Sequence, residues 1–277
     1  VYTEPETKTI VLIGAGSVKF MQGLVKHIIA DGGKWELRLV DISPKSLDVA
    51  RLLAERMVEA HDAPITVRAS EDRRELLPGA NVVVTTIGVG SRPAWEQDVF
   101  ISRKFGIYYP VGDTYGAPGI SRALRMVPPM VDIANDVVEL CPEAIFINYS
   151  NPLSVISRSI RKATAADVVG LCTGVRDIHE RLAKVLGVAP DDLQSAAIGV
   201  NHFTWFTELR YQGQDAWPLF IEKVIEHHEG KEPENSIVWD LFRTFGAYPA
   251  VGDGHVVEFW PGRSHEKGGY YGQTLGI

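Results

Sequence analysis

The sequence predicts an α/β protein, a doubly wound and mainly parallel sheet followed by a smaller α+β domain. Three observations carry this. Apolar runs suited to buried strands alternate with helical segments as far as Val200. The first such run feeds a glycine turn and then a helix. Beyond His202 the alternation gives way to a period-two stretch, Thr204 to Tyr211, that reads as an antiparallel strand. The change near Asn201 divides the chain into residues 1–200, a dinucleotide-binding domain, and 201–277, a substrate domain.

Lys8 to Ile13 is apolar and β-branched, and it runs into Gly14-Ala15-Gly16-Ser17. Two glycines let the backbone turn tightly and approach a pyrophosphate, and the apolar residues Phe20, Leu24, Val25, Ile28 and Ile29 recur at helical spacing behind them. A helix starting at Ser17 points peptide N–H groups at an anion. The second strand, Trp35 to Val40, ends on Asp41, 27 residues after Gly14. That is where the dinucleotide fingerprint places an acid for the ribose hydroxyls, which favours NAD over its 2′-phosphate form. The third fingerprint glycine is replaced by Lys19. A glycine turn after a strand is often only a turn, so Asp41 is what makes the motif informative.

Ser43 and Pro44 signal a helix start, and Ile65 to Ala69 reads as the third strand. Asn81 to Ile87 is a continuous apolar strand, as expected when a parallel sheet is covered on both faces. Gly14, Gly16, Ser17, Asp41 and Ile87 are the candidate cofactor residues. The loop GVGSRPAW follows at the sheet's carboxyl edge and carries Arg92, either a ligand contact or a solvated surface arginine. Tyr109 to Arg125 is loop-rich and carries Asp113 and Thr114; a helix is expected over Ser121 to Leu140. Ala144 to Tyr149, Asp167 to Leu171 and Ser195 to Val200 are the remaining strands of the series, ending at NYSNP, Cys172 and Asn201-His202.

Composition excludes several classes. At 277 residues and 45% hydrophobic content the chain can bury a large core. A net charge of −7 argues against nucleic-acid and anionic-membrane partners, and no apolar run reaches membrane-spanning length. Two cysteines, Cys141 and Cys172, make no disulfide framework, which points to a cytoplasmic setting.

A doubly wound sheet extending to Val200 would bring Asn151, Cys172 and His202 together at its carboxyl edge. Thiolate and imidazole suit a borderline divalent metal, and a site with two or three protein ligands keeps positions open for substrate oxygens. Equally, a cysteine is commonly just buried and a histidine after a strand just hydrogen-bonded.

Taken together, Gly14 to Ser17, NYSNP at 148–152, Cys172 at a strand end and GVNHF at 199–203 resemble glycoside hydrolase family 4. The likeness continues through VGDTYGAPGI and GAYPAVGDGHVVEFWPG, and it shares with lactate and malate dehydrogenases a Rossmann-like sheet. VGDT and GDGH are most similar to the branch acting on unphosphorylated α-glycosides, α-glucosides and α-galacturonides. Thr173 after the cysteine departs from relatives that carry histidine or asparagine there. Relatives are also longer, implying that the second domain is incomplete at residue 277.

The resemblance implies hydrolysis by a redox route that needs NAD and Mn2+ or another divalent metal. The sugar's C3 is oxidised, a base removes the C2 proton, the aglycone leaves, water adds and the hydride returns. It implies Cys172 and His202 as metal ligands, Asn151, Arg92 and His255 on the carbohydrate, and a homo-oligomer, dimer or tetramer. Two glycine-flanked aspartates are candidates for catalysis, Asp253 as the base and Asp113 orienting substrate or water; either could instead cap its own turn. The alternative reading is an NAD-dependent 2-hydroxy-acid dehydrogenase with His202 as acid/base.

Overall fold

A computed structural model describes residues 7–233 and 236–260, residue 262, and three short strands near the carboxyl end, with the side chains of residues 18, 19 and those strands excepted. The side chain of Lys19, at the third fingerprint position, therefore lies outside the described residues.

In chain order the elements begin with β1 (Lys8–Ile13), α1 (Val18–Asp31), β2 (Trp35–Val40), α2 (Pro44–Ala60), β3 (Ile65–Ser70), α3 (Arg73–Leu76) and β4 (Val82–Thr85). Next come α4 (Ser91–Arg103), α5 (Gly116–Leu140), β5 (Ile145–Asn148), α6 (Leu153–Ala163), β6 (Val168–Gly170) and α7 (Gly174–Leu186). The remainder is β7 (Leu193–Val200), β8 (Phe203–Tyr211), β9 (Gln214–Asp215), α8 (Trp217–His227), α9 (Ile237–Phe245), β10 (Tyr248–Pro249), α10 (Asp253–Val256), β11 (Ser264–His265), β12 (Gly269–Tyr270) and β13 (Gln273–Thr274).

Two compact units result, residues 1–91 with 123–171, and residues 92–122 with 172–277. These interleaved spans differ from the single division expected near Asn201, because the segment between β4 and the body of α5 joins the second unit and β7 pairs outside the parallel sheet.

The first unit is a six-stranded parallel sheet in the order β3-β2-β1-β4-β5-β6. This order reverses between β1 and β4, the switch point at which open α/β sheets bind ligands. Both faces are buried, which is why its strands read as unbroken apolar runs. Alternation along β1 sends Val11 and Ile13 into a core with Val83, Met130, Phe146 and Ile156. Ile10 and Leu12 enter the other core with Leu37, Leu39, Met21 and Val25.

The second unit centres on an antiparallel sheet, β10-β8-β7 with β9 on β8. Here the expectation that the doubly wound sheet extends to Val200 is corrected. An isolated strand pattern carries no direction, and a two-residue link at Asn201-His202 is far too short for the crossover that parallel pairing needs. Phe206 and Leu209 pack on Ile178 and Leu182 of α7, Phe220 of α8 and Trp239 and Phe242 of α9. The helix Ser91–Arg103 replaces the expected loop after β4. Pro93 falls in its first turn, where the missing N–H had no helical acceptor.

Candidate functional site

In the first unit the glycine turn has the form that the sequence foretold. Gly14 has φ +97°, and a Cβ there would stand 2.8 Å from the Thr86 carbonyl carbon and 2.9 Å from the Ile87 nitrogen. Only glycine permits β1 to turn so close to the end of β4. The turn is tied to β2, since Gly14 N–H and Ala15 N–H both donate to the Val40 carbonyl, and Thr86 Oγ1 donates to the Gly14 carbonyl at 2.9 Å. Ser17 stands at the N-cap of α1 without a side-chain capping bond, and that first turn holds no acidic residue. The helix end thus presents N–H donors suited to an anion.

Asp41 completes the turn. One carboxylate oxygen accepts from Gly16 N–H at 2.8 Å and the other from Ser43 N–H at 2.9 Å. Each oxygen keeps a lone pair for a ribose hydroxyl. A Cβ on Gly16 would lie 2.7 Å from Asp41 Oδ2, so the second glycine is required by the acid itself. These features fit a dinucleotide.

Farther along this unit, Asn148 is fully buried at the end of β5 and builds the NYSNP turn. Its Oδ1 accepts from Ser150 N–H at 2.8 Å and from Thr85 Oγ1 at 3.1 Å, and its amide donates to the Ser150 carbonyl. The turn that follows presents Asn151 ahead of a cis peptide to Pro152.

The second unit holds the other candidates. His202 lies in the β7–β8 turn with φ +61° and is buried at 6% exposure. Its Nδ1 is 2.7 Å from Thr114 Oγ1, whose hydroxyl donates to Asp113 Oδ1 at 2.7 Å; Asp113 itself stands 3.7 Å from Nδ1. The His255 ring meets His202 edge-on at 4.2 Å between centroids. Burial first, then the neighbouring His255, bring the His202 pKa down to about 4 against the pull of Asp113. The imidazole is therefore neutral at neutral pH, as a metal ligand must be. Burial also lowers His255.

Cys172 follows β6 as an exposed free thiol, its sulfur accepting from Gly174 N–H at 3.4 Å. A Cβ at Gly174 would lie 3.0 Å from the Ala250 carbonyl, and Ala250 N–H donates to the Thr204 carbonyl next to the His202 turn. Segment 248–255 thus touches the elements carrying both proposed ligands. Among the described residues no group of three or more His, Cys, Asp or Glu is arranged to hold a metal.

Two of the candidates have partners of their own within the second unit. Asp253 is engaged at the start of α9, where its Oδ1 accepts from Val238 N–H at 2.9 Å and Ser236 Oγ at 3.3 Å. One oxygen of this carboxylate thus helps to cap a helix 15 residues away in the chain. Arg92 is exposed on α4 and ion-paired with Glu96 at 2.7 Å.

Sequence reasoning missed Glu258. It is 2% exposed, and its Oε1 accepts from Val111 N–H and Gly112 N–H, both at 2.7 Å. Burial, opposed by those two N–H groups and abetted by Asp113, raises its pKa to about 7. It clamps the loop that carries Asp113 and Thr114. Nothing local marks it, since its partners are 146 and 147 residues away.

The sequence model for "Family 4 glycosyl hydrolase" matches residues 9–188, and that for the family's C-terminal domain matches residues 197–274. An α-galactosidase of Rhizobium meliloti is 32% identical over 255 residues, covering 91% of this chain and 52% of that protein. An α-galacturonidase of Bacillus subtilis is 33% identical over 276 residues, covering 91% and 61%. The chain spans between half and two thirds of the length of these relatives. A 6-phospho-α-glucosidase from gut microorganisms, solved with NAD and Mn2+, superposes with a TM-score of 0.79 at 20% identity, covering 92% of this chain and 61% of that one; this likeness is one of fold. A lactate dehydrogenase of Eimeria maxima shares the fold more loosely, at a TM-score of 0.61 and 20% identity over 94% and 74% of the two chains.

Proposed function

The chain belongs to family 4 of the glycosyl hydrolases, and from that premise we propose that it hydrolyses an unphosphorylated α-glycoside with NAD and a divalent cation such as Mn2+. The α-galactosidase and α-galacturonidase relatives support that sugar class, with α-glucosides alongside. The observation that carries the proposal is a buried, neutral His202 whose Nδ1 is already hydrogen-bonded, so that Nε2 is the nitrogen left for a cation.

When bound, NAD supplies reversible hydride chemistry and the cation supplies Lewis acidity. The chain's own part is to bind and to orient. Gly14 and Gly16 let backbone approach the pyrophosphate, the first turn of α1 donates N–H groups to it, and Asp41 accepts from the ribose hydroxyls. His202 and Cys172 hold the cation, Asp113 and Thr114 hold the His202 ring, and Asn151 and His255 are assigned to sugar hydroxyls. Two free thiols support a cytoplasmic setting. The proposal includes a homo-oligomer, testable by sedimentation. Among the described residues no helix is long and apolar enough to cross a membrane.

The test is release of nitrophenol from α-galactoside, α-glucoside and α-galacturonide substrates with NAD+, Mn2+ and a thiol reductant. Release that needs both additions, stops with chelator and leaves no net NADH is the expected result. Stoichiometric NADH from a 2-hydroxy acid in the absence of cation would replace this reading with a dehydrogenase.

A further inference from the structure

The contacts around His202 fix the position of one proton. Thr114 Oγ1 lies 2.7 Å from Asp113 Oδ1 and 2.7 Å from His202 Nδ1. A hydroxyl has a single proton to donate, and a carboxylate only accepts. The charge-assisted bond to Asp113 takes that proton, so toward His202 the Thr114 oxygen can act only as acceptor. Nδ1 must then carry the imidazole hydrogen, and the lone pair of the neutral ring is on Nε2.

The surroundings leave this arrangement little freedom to change. Glu258 holds Val111 and Gly112 by their N–H groups, and the Trp95 indole donates to the Val111 carbonyl at 2.6 Å. Gly112 has φ +64°, and a Cβ there would stand 2.7 Å from a Val99 methyl, so the loop is pressed against α4 immediately before Asp113. On the other side, His202 occupies the left-handed region in a two-residue turn between paired strands, which fixes where its ring begins. Two independently anchored backbone segments thus meet at one hydroxyl.

We propose that Thr114 is a positioning residue that locks His202 in the Nδ1–H tautomer and thereby sets the affinity of the site for a divalent cation. The cation part rests on the ligand role assigned to His202 above; the tautomer part does not. Partners that orient the far nitrogen of a ligating histidine commonly matter by about 10- to 100-fold in metal affinity. The role differs from that of an ordinary turn threonine because it depends on the hydroxyl and not on the shape of the side chain.

Thr114→Val removes the hydroxyl at nearly constant volume, and Thr114→Ser restores it. The readout is a long-range 15N–1H correlation spectrum of the metal-free chain labelled at histidine nitrogen, with the His202 signals identified by their loss in His202→Ala. Wild type and Thr114→Ser should show the Nδ1–H pattern, and Thr114→Val a mixture of tautomers. In parallel, Mn2+ titrated calorimetrically should bind Thr114→Val about 10- to 100-fold more weakly than wild type, with Thr114→Ser close to wild type. An Nε2–H pattern in wild type, or an unchanged pattern and unchanged Mn2+ affinity in Thr114→Val, overturns the proposal. If His202→Ala binds Mn2+ as tightly as wild type, the ligand assignment fails instead, and the spectra alone decide the role of Thr114. Circular dichroism of each variant separates these outcomes from misfolding.

Discussion

Asp253 and Asp113 both follow a Val-Gly pair, yet their carboxylates are used differently. Ser236 Oγ accepts from Trp239 N–H and Asp253 Oδ1 from Val238 N–H, so two side chains between them satisfy two of the donors left open at the start of α9. Asp253→Ala should therefore lower stability by about 1 kcal/mol, seen as a lower denaturant midpoint. Solvent-deuterium exchange at the substrate's C2 decides whether the same carboxylate also serves as the base: loss of exchange in a variant that still folds supports that role, and retained exchange removes it. At Asp41 the carboxylate has two duties, since it holds Gly16 and Ser43 and faces the turn meant for the cofactor. Removing hydrogen bonds to a charged group costs about 1.5–3 kcal/mol each, so Asp41→Ala should weaken NAD+ binding at least roughly tenfold while sugar affinity changes little. A fluorescence titration with an unchanged NAD+ dissociation constant would contradict the ribose assignment.

Among elements, the short turn carrying Glu258 shows what a local reading cannot reach. Its pKa lies at about 7 instead of 4.5, so the folded state binds a proton that the unfolded chain releases between those values. Stability from this group is thus greatest below pH 4.5 and declines as pH rises to 7, by on the order of 3 kcal/mol. Glutamine at this position keeps an oxygen for both N–H groups and removes the charge. Because His202, with its lowered pKa, gains stability over the same range in both proteins, the informative quantity is the difference between them: from pH 5 to 7.5 wild type should lose stability relative to Glu258→Gln in denaturant titrations, and an unchanged difference would show that another group is responsible. The sequence made β1, β2, β4 and the glycine turn legible because buried parallel strands and a phosphate turn have local signatures. Glu258 has none, because its value lies in two N–H groups far away in the chain. The same limit explains β7, whose apolar pattern was visible while its pairing with β8 was not, and α4, whose Pro93 and preceding glycines resemble a loop until Pro93 is placed in a first turn. Cys172 and His202 were legible as residue types, whereas the hydroxyl of Thr114 that orients His202 emerged only once β7 and β8 had set the turn.

At the scale of the whole molecule, each of the two compact units has its own core and carries its own share of the proposed site. The Gly14–Asp41 turn stands on the parallel sheet, and the Asp113–Thr114–His202 cluster stands on the antiparallel one. A ligand that binds only folded protein stabilises what it touches by mass action, about 2.7 kcal/mol at one hundred times its dissociation constant. Amide hydrogen exchange can resolve this by segment, because local openings report local free energies. NAD+ alone should slow exchange in β1, the first turn of α1 and the end of β4. Mn2+ alone should slow it at residues 111–114, 172–174 and 201–203, and Thr114→Val should lose this second effect while keeping the first. Protection by NAD+ confined to the second unit, or by Mn2+ confined to the parallel sheet, would show that the two ligands had been assigned to the wrong units.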